Sequence, residues 1–173
     1  RSAAVTGPEA QVLEQILQEA KGEDLTGLTE ADIRILAKRV WDWAEKVPSG
    51  EQAVRVSPRA EGAKGLLDRS VLEATGPDMP FLVDSLLNEC AAQGHEVKTL
   101  FHPVVTLADG RMISVIQIHT SLITSQEARL LEDGVRHTLA DVTRAVSDHA
   151  AMKARMRAEM QRLSSLTHIH SAE

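Results

Sequence analysis

The chain has no tyrosine, and its aromatic side chains are Trp41, Trp43, Phe81 and Phe101, 2% of 173 residues. A core must therefore come from leucine, valine, isoleucine, alanine and methionine. Stacking platforms of the kind that hold single-stranded nucleic acid are missing. A basic footprint is missing too. Lys and Arg number 19 against 25 Asp and Glu, for a net charge of −6 and a pI near 5.7. That balance argues against nucleic acid as a partner. The one cysteine, Cys90, excludes an intrachain disulfide and a multi-thiolate metal site. No apolar run approaches the roughly 18 residues of a membrane span, and residues 1–8 lack the apolar stretch of a secretory signal. A cytoplasmic address follows, with no membrane partner. Gly-x-Gly-x-x-Gly, Gly-Lys-Ser/Thr and Gly-x-Ser-x-Gly are absent, so nothing marks a nucleotide loop or a nucleophile elbow.

What is present is globular. Hydrophobic residues make up 43% and charged residues 25%, enough for a core and near the usual balance. The length suits one compact domain with helical extensions. The chain begins at Arg1 rather than Met and reads as a piece of a longer polypeptide.

Residues 1–8 read as a lead. Val12, Leu13, Ile16 and Leu17 are spaced for an amphipathic helix over 9–20. Residues 21–27 read as a loop. Thr29, with Asp32 three residues on, predicts a capped helix carrying Ile33, Leu36, Val40, Trp43, Ala44 and Val47 and stopped by Pro48. Residues 53–57 and 67–75 alternate as strands. After the turn at 76–80 a helix begins near Pro80, with Phe81, Leu82, Leu86 and Cys90 inward and Gly94 at its C-terminal end.

Two strands follow, 96–107 and 111–122, joined at Asp109-Gly110, a strong hairpin signal. A two-residue turn pairs Leu107 with Met112, Val105 with Ser114 and Phe101 with Ile118. One face then carries Val97, Phe101, Val105, Leu107, Met112, Ile116, Ile118 and Leu122 against helices. The other carries Leu100, His102, Val104, Ile113, Val115, Gln117 and His119 among polar neighbours. A one-residue slip exchanges the faces of one strand. Ser125 is read as the cap of a helix carrying Leu131, Val135, Leu139, Val142 and Val146. Ser147 and Asp148 then interrupt, Asp148 caps a separate arm, and its stripe of Met152, Met156, Met160 and Leu163 is out of register. Residues 164–173 read as a frayed tail. The order strand, helix, strand, strand, helix, with a short strand ahead, is close to a ferredoxin-like α+β fold.

Few residues invite chemistry. His102 and His119 share a face in this register but lack a third metal ligand, so no metal is assigned. Cys90 reads as a small buried hydrophobe, and Asp84-Ser85 has no histidine nearby. The helix N-terminus at 80 is either an anion site or is capped by Asp78. The methionine stripe is core or a contact for a partner helix. No residue is assigned a catalytic role.

Asp78-Met79-Pro80-Phe81-Leu82-Val83-Asp84-Ser85, with His102-Pro103 downstream, resembles the N-terminal region of the large bacterial NAD-specific glutamate dehydrogenases. Val54-Arg55-Val56, Leu139-Ala140-Asp141-Val142 and Ala151-Met152 extend the resemblance over about 50–156. It implies an ACT-type regulatory domain ahead of a distant catalytic core. The parent reaction is the NAD-dependent oxidative deamination of glutamate to 2-oxoglutarate.

The fold expected is a ferredoxin-like, ACT-like sheet of about four antiparallel strands with helices on one face. Residues 1–50 form a helical segment, 51–148 the ACT-like domain and 149–173 a helical arm and tail. The resemblance implies no cofactor in this piece and NAD in the parent enzyme. Partners are its other domains or subunits and an amino-acid effector. Asp78, Met79, Pro80 and Phe81 form the candidate effector or interface loop. Leu100, His102, Val104, Ile113, Val115, Gln117 and His119 form a candidate docking face. Two departures stand out. ACT domains often carry glycine where this chain has Phe81, whose side chain is expected to fill ligand space. Residues 149–163 look helical where a last strand belongs, so Ala53–Ser57 is expected to supply that edge strand. An amino-acid sensor and a stand-alone dimerisation module are the alternative functions.

Overall fold

The computed structural model describes residues 9–19, 28–59, 65 and 67–170, with side-chain surroundings given as far as Arg162. The lead at 1–8, the loop at 21–27, most of the loop at 58–65 and the last three residues of the tail lie outside the described residues. The elements run α1 (Glu9–Glu19), α2 (Glu30–Ala44), β1 (Ala53–Ser57), β2 (Arg69–Gly76), α3 (Leu82–Ala92), β3 (Val97–Phe101), β4 (Val104–Thr106), β5 (Met112–Ser121) and α4 (Ser125–His170). Thr29 caps α2 as expected: its hydroxyl accepts the Asp32 amide at 3.2 Å, while the Asp32 carboxylate accepts the Thr29 amide at 2.9 Å. The α3 helix ends at Gly94, whose φ of +77° suits glycine. There His95 donates to the Cys90 carbonyl and Gly94 to that of Ala91.

All five strands are antiparallel, in the order β1-β2-β5, with β3 and β4 end to end along the far side of β5. The break between β3 and β4 falls at His102-Pro103, where Pro103 has no amide to donate and its carbonyl accepts from Val115. β1 pairs with the outer side of β2, Val54 opposite Ala74 and Val56 opposite Leu72. The strand ahead of the motif therefore fills the edge position left by the missing last strand, as expected.

The hairpin is where the sequence reading slips. Asp109-Gly110 is part of a three-residue connection, Ala108-Asp109-Gly110. Leu107 and Arg111 close it, and Gly110 lies at φ +82°. The extra residue shifts the register by one: Val105 faces Ile113 and Phe101 faces Gln117. Leu72, Ala74, Ile116 and Ile118, with Leu100 alongside, therefore look toward α3 and α4, where they meet Leu82, Leu86, Leu131 and Val135. Phe101, Val105, Leu107, Ile113 and Val115 look the other way, onto Val12, Ile16, Ile33, Val40 and Trp41 of α1 and α2.

The ACT-like unit keeps its own two helices on one face, but the N-terminal helices cover the other. The predicted docking face does not exist as drawn. Ile113, Val115, Gln117 and His119 are buried beneath α1 and α2, whereas Leu100, His102 and Val104 belong to the opposite side or the rim. The physical reason is the one-residue slip together with the burial of the α1 and α2 stripes.

Helix α4 corrects two further readings. Thr124, not Ser125, caps it, with Glu127 completing the reciprocal box. It then runs unbroken through Ser147 and Asp148, both exposed, so Asp148 caps nothing and the arm is a continuation of the same helix. Its outward charges also close the edge of β1: Glu132 accepts from the Val56 amide and Arg136 donates to the Val54 carbonyl, the two side chains being paired at 2.6 Å. Among the described residues no helix is long and apolar enough to cross a membrane.

Candidate functional site

The turn between β2 and α3 carries the motif. Phe81 precedes α3 with φ +70° and ψ +1°, the only non-glycine residue of positive φ among the described residues. An L-residue there costs about 1–2 kcal/mol, and such outliers gather at functional turns. Its ring is 69% exposed, so it does not fill the loop as expected. It borders an open groove of about 390 Å³ between α3 and α4, with Ser85, Thr138, Asp141, Val142 and Ala145. Met79 packs on the α3–α4 core, and Pro80 is exposed. No side chain caps α3, so the reading of Asp78 as its cap is not realised. The Asp78 carboxylate lies 3.9 Å from His102 Nε2, which is 2.6 Å from the Ser114 hydroxyl.

His102 and His119 do not face one another. His102 meets Ser114 at the rim on the α3–α4 side, and His119 lies fully buried on the α1–α2 side. Among the described residues no three His, Cys, Asp or Glu side chains gather as metal ligands.

The most heavily charged interior was missed by the sequence reading. Glu73, in the middle of β2, has no exposed surface. Its carboxylate accepts from Arg39 at 3.0 Å, from Arg55 and from Gln117 at 2.9 Å. Arg39 also donates to Ser57, and Arg55 lies 4.3 Å from the Trp43 ring centroid. Burial works to raise the carboxyl pKa, but the Arg55 hydrogen bond and both guanidinium charges outweigh it and hold Glu73 below its ordinary value. A charged residue centred in the apolar run Val71-Leu72-Glu73-Ala74 was the available signal; Arg39, on another element, gave none.

Gln117 extends this network to His119, whose Nε2 is 3.3 Å from Gln117 Oε1 and whose Nδ1 has no hydrogen-bond partner among the described residues. Burial, with the Arg69 charge, pushes that imidazole down to about 4. Cys90 is fully buried, and burial with Glu89 beside it pushes the thiol up to about 11, the state of an inert core residue.

The two recognisable assemblies thus differ in kind. The Glu73 cluster is closed and ties α2 to the sheet, whereas the Phe81 turn and groove are open and can receive another molecule. No curated protein and no solved structure matches this chain significantly. A family model described as the glutamate dehydrogenase ACT1 domain matches residues 12–160, spanning both N-terminal helices, the whole sheet and the greater part of α4, and the chain belongs to that family.

Proposed function

We propose that this chain is a non-catalytic regulatory and assembly domain of an NAD-dependent glutamate dehydrogenase. Another part of that enzyme converts L-glutamate to 2-oxoglutarate and ammonia while reducing NAD, in the cytoplasm. The observation that carries the reading is the family match over an ACT-type sheet whose ordered polar groups, Glu73 with Arg39, Arg55 and Gln117, are committed to holding elements together. The test is an assay of glutamate-dependent NAD reduction by the chain alone. No turnover is expected, and turnover overturns the reading.

The Phe81 turn favours a second reading, an amino-acid effector site at Asp78–Phe81. Phe81 holds the left-handed backbone that favours glycine, the residue the resemblance places at this turn, and its ring swings outward. Calorimetry against a panel of amino acids tests it. Absence of heat with all of them removes the effector reading and leaves the regulatory domain to act through contacts alone.

A further inference from the structure

A cleft of about 1160 Å³ opens where α2, the end of β1 and the start of α4 meet. It lies toward the Arg69 end of β2, whereas Phe81 follows the Gly76 end, so the two sites are separate. Its lining has two parts. Ile35, Trp43 and Leu122 are apolar. Arg39 and Lys46 of α2, Arg55 of β1 and Arg59 just beyond it are basic. The acid among the described lining residues is Asp42, which Lys38 holds at 2.8 Å. A cleft so basic runs against the net charge of −6 on the chain.

Much of this charge is unspent. Glu73 is sealed, but it is one carboxylate against two guanidinium groups. Arg39 uses Nε and Nη2 on Glu73 and Ser57, and Arg55 uses the same two nitrogens on Glu73 and the Arg39 carbonyl. Nη1 of each makes no hydrogen bond among the described residues, and the two side chains are 21% and 31% exposed. Lys46 and Arg59 are exposed, and neither side chain has a hydrogen bond or ion pair among the described residues. Like charges gathered in one cleft repel, and an anion entering it relieves that repulsion.

A bare inorganic anion leaves the rest of the lining unused. The cleft is roomy enough for an organic ligand. Trp43 is half-buried in its lining, with Arg55 4.3 Å from the ring centroid. A flat ring can stack on an indole or on a guanidinium plane. One such ring seats one base, not the row of bases that a nucleic-acid strand presents. Four basic side chains also offer more donors than one carboxylate can use. A chain of phosphates takes several at once, from arginine forks and from lysine as a point charge. The start of α4 adds little, because Glu127 already holds the Thr124 amide at 2.7 Å.

We propose that this cleft is a binding site for an organic phosphate bearing a flat ring, the chemistry of a nucleoside diphosphate. The ring lies against Trp43, and the phosphates meet Lys46, Arg59 and the unused nitrogens of Arg39 and Arg55. This goes beyond the regulatory reading and does not depend on the Phe81 turn.

ADP titrated into the 173-residue chain tests it, by calorimetry and by tryptophan fluorescence, with helix content checked by circular dichroism. Trp41 is buried and Trp43 lines the cleft, so the fluorescence change vanishes in Trp43→Phe while calorimetry still detects binding. Lys46→Glu and Arg59→Glu each weaken ADP by about tenfold. Neither side chain bonds to another element, so folding is not at stake. Adenosine and pyrophosphate each engage one part of the lining and bind about tenfold or more weaker than ADP. Citrate, with charge but neither ring nor phosphate, binds no better than pyrophosphate. No binding of ADP at millimolar concentration, binding indifferent to both charge reversals, or pyrophosphate or citrate equal to ADP overturns the proposal. None of these outcomes touches the regulatory reading, which the turnover assay tests separately.

Discussion

Gln15 of α1 and Val104 of β4 satisfy each other completely: the Gln15 amide nitrogen donates to the Val104 carbonyl, and Gln15 Oε1 accepts the Val104 amide at 2.7 Å. Val104 is on the outer side of β4, where a further strand would pair, so one side chain takes the part of a neighbouring strand. Gln11 adds a longer bond to the Thr106 amide at 3.4 Å. The N-terminal helix pair is therefore bonded to the sheet edge as well as packed on its face.

Gln15→Ala leaves both backbone groups of Val104 without these partners. A loss of about 1–2 kcal/mol is expected, read as a lower urea midpoint with unchanged slope. A midpoint equal to that of the parent chain contradicts this bonding.

His119 makes stability depend on acid. Its folded pKa of about 4 lies below the ordinary 6.5, so the unfolded chain binds a proton that the folded chain refuses between those values. Stability therefore falls as pH drops from 6.5 toward 4, by on the order of 3 kcal/mol. Arg69 and Arg39 oppose the imidazolium and Glu73 favours it, with burial the largest influence. Glu73 acts the same way at lower pH: its depressed pKa supplies stability above about 4.5 that is lost as pH falls through the folded value. Denaturation at a series of pH values, repeated with His119→Gln, checks this. The variant flattens the upper window and keeps the lower fall.

Phe81→Gly places at φ +70° the residue that accepts it freely. With the ring 69% exposed, little packing is lost and stability rises by about 1 kcal/mol. Thermal melting reads the change.

Cys90 is expected to react with a thiol reagent only as fast as the domain opens. Burial and the raised pKa both withhold the thiolate. Labelling that outpaces opening, measured by hydrogen exchange at α3, contradicts this.

Local signals carried much of the fold. Thr29 with Asp32, the Gly94 helix end, the β1 edge strand and the motif turn all follow from a few adjacent residues and appear in the structure where expected. What failed depended on one residue of turn length or on packing at a distance. Asp109-Gly110 fits a two-residue and a three-residue turn, and only the latter gathers Phe101, Val105, Leu107, Ile113 and Val115 on one face. The stripes of α1 and α2 announce that they bury something, but periodicity does not name the sheet face they cover. Ser147 and Asp148 look like a stop, yet on an exposed turn of an established helix they cost little. Of the candidate site, the Phe81 turn was legible because its residues are contiguous. The Glu73 cluster was not, because its members come from three strands and a helix.

In a sheet closed by a last strand, the second helix must come back to deliver it, and the width of the sheet limits how long that helix can be. Here β1 occupies the outer position from the other end of the chain. With that position filled, helix α4 need not deliver a strand to it and is released from that limit, which lets it run 46 residues. Where a strand enters the sequence has thus decided how far the domain can reach beyond itself.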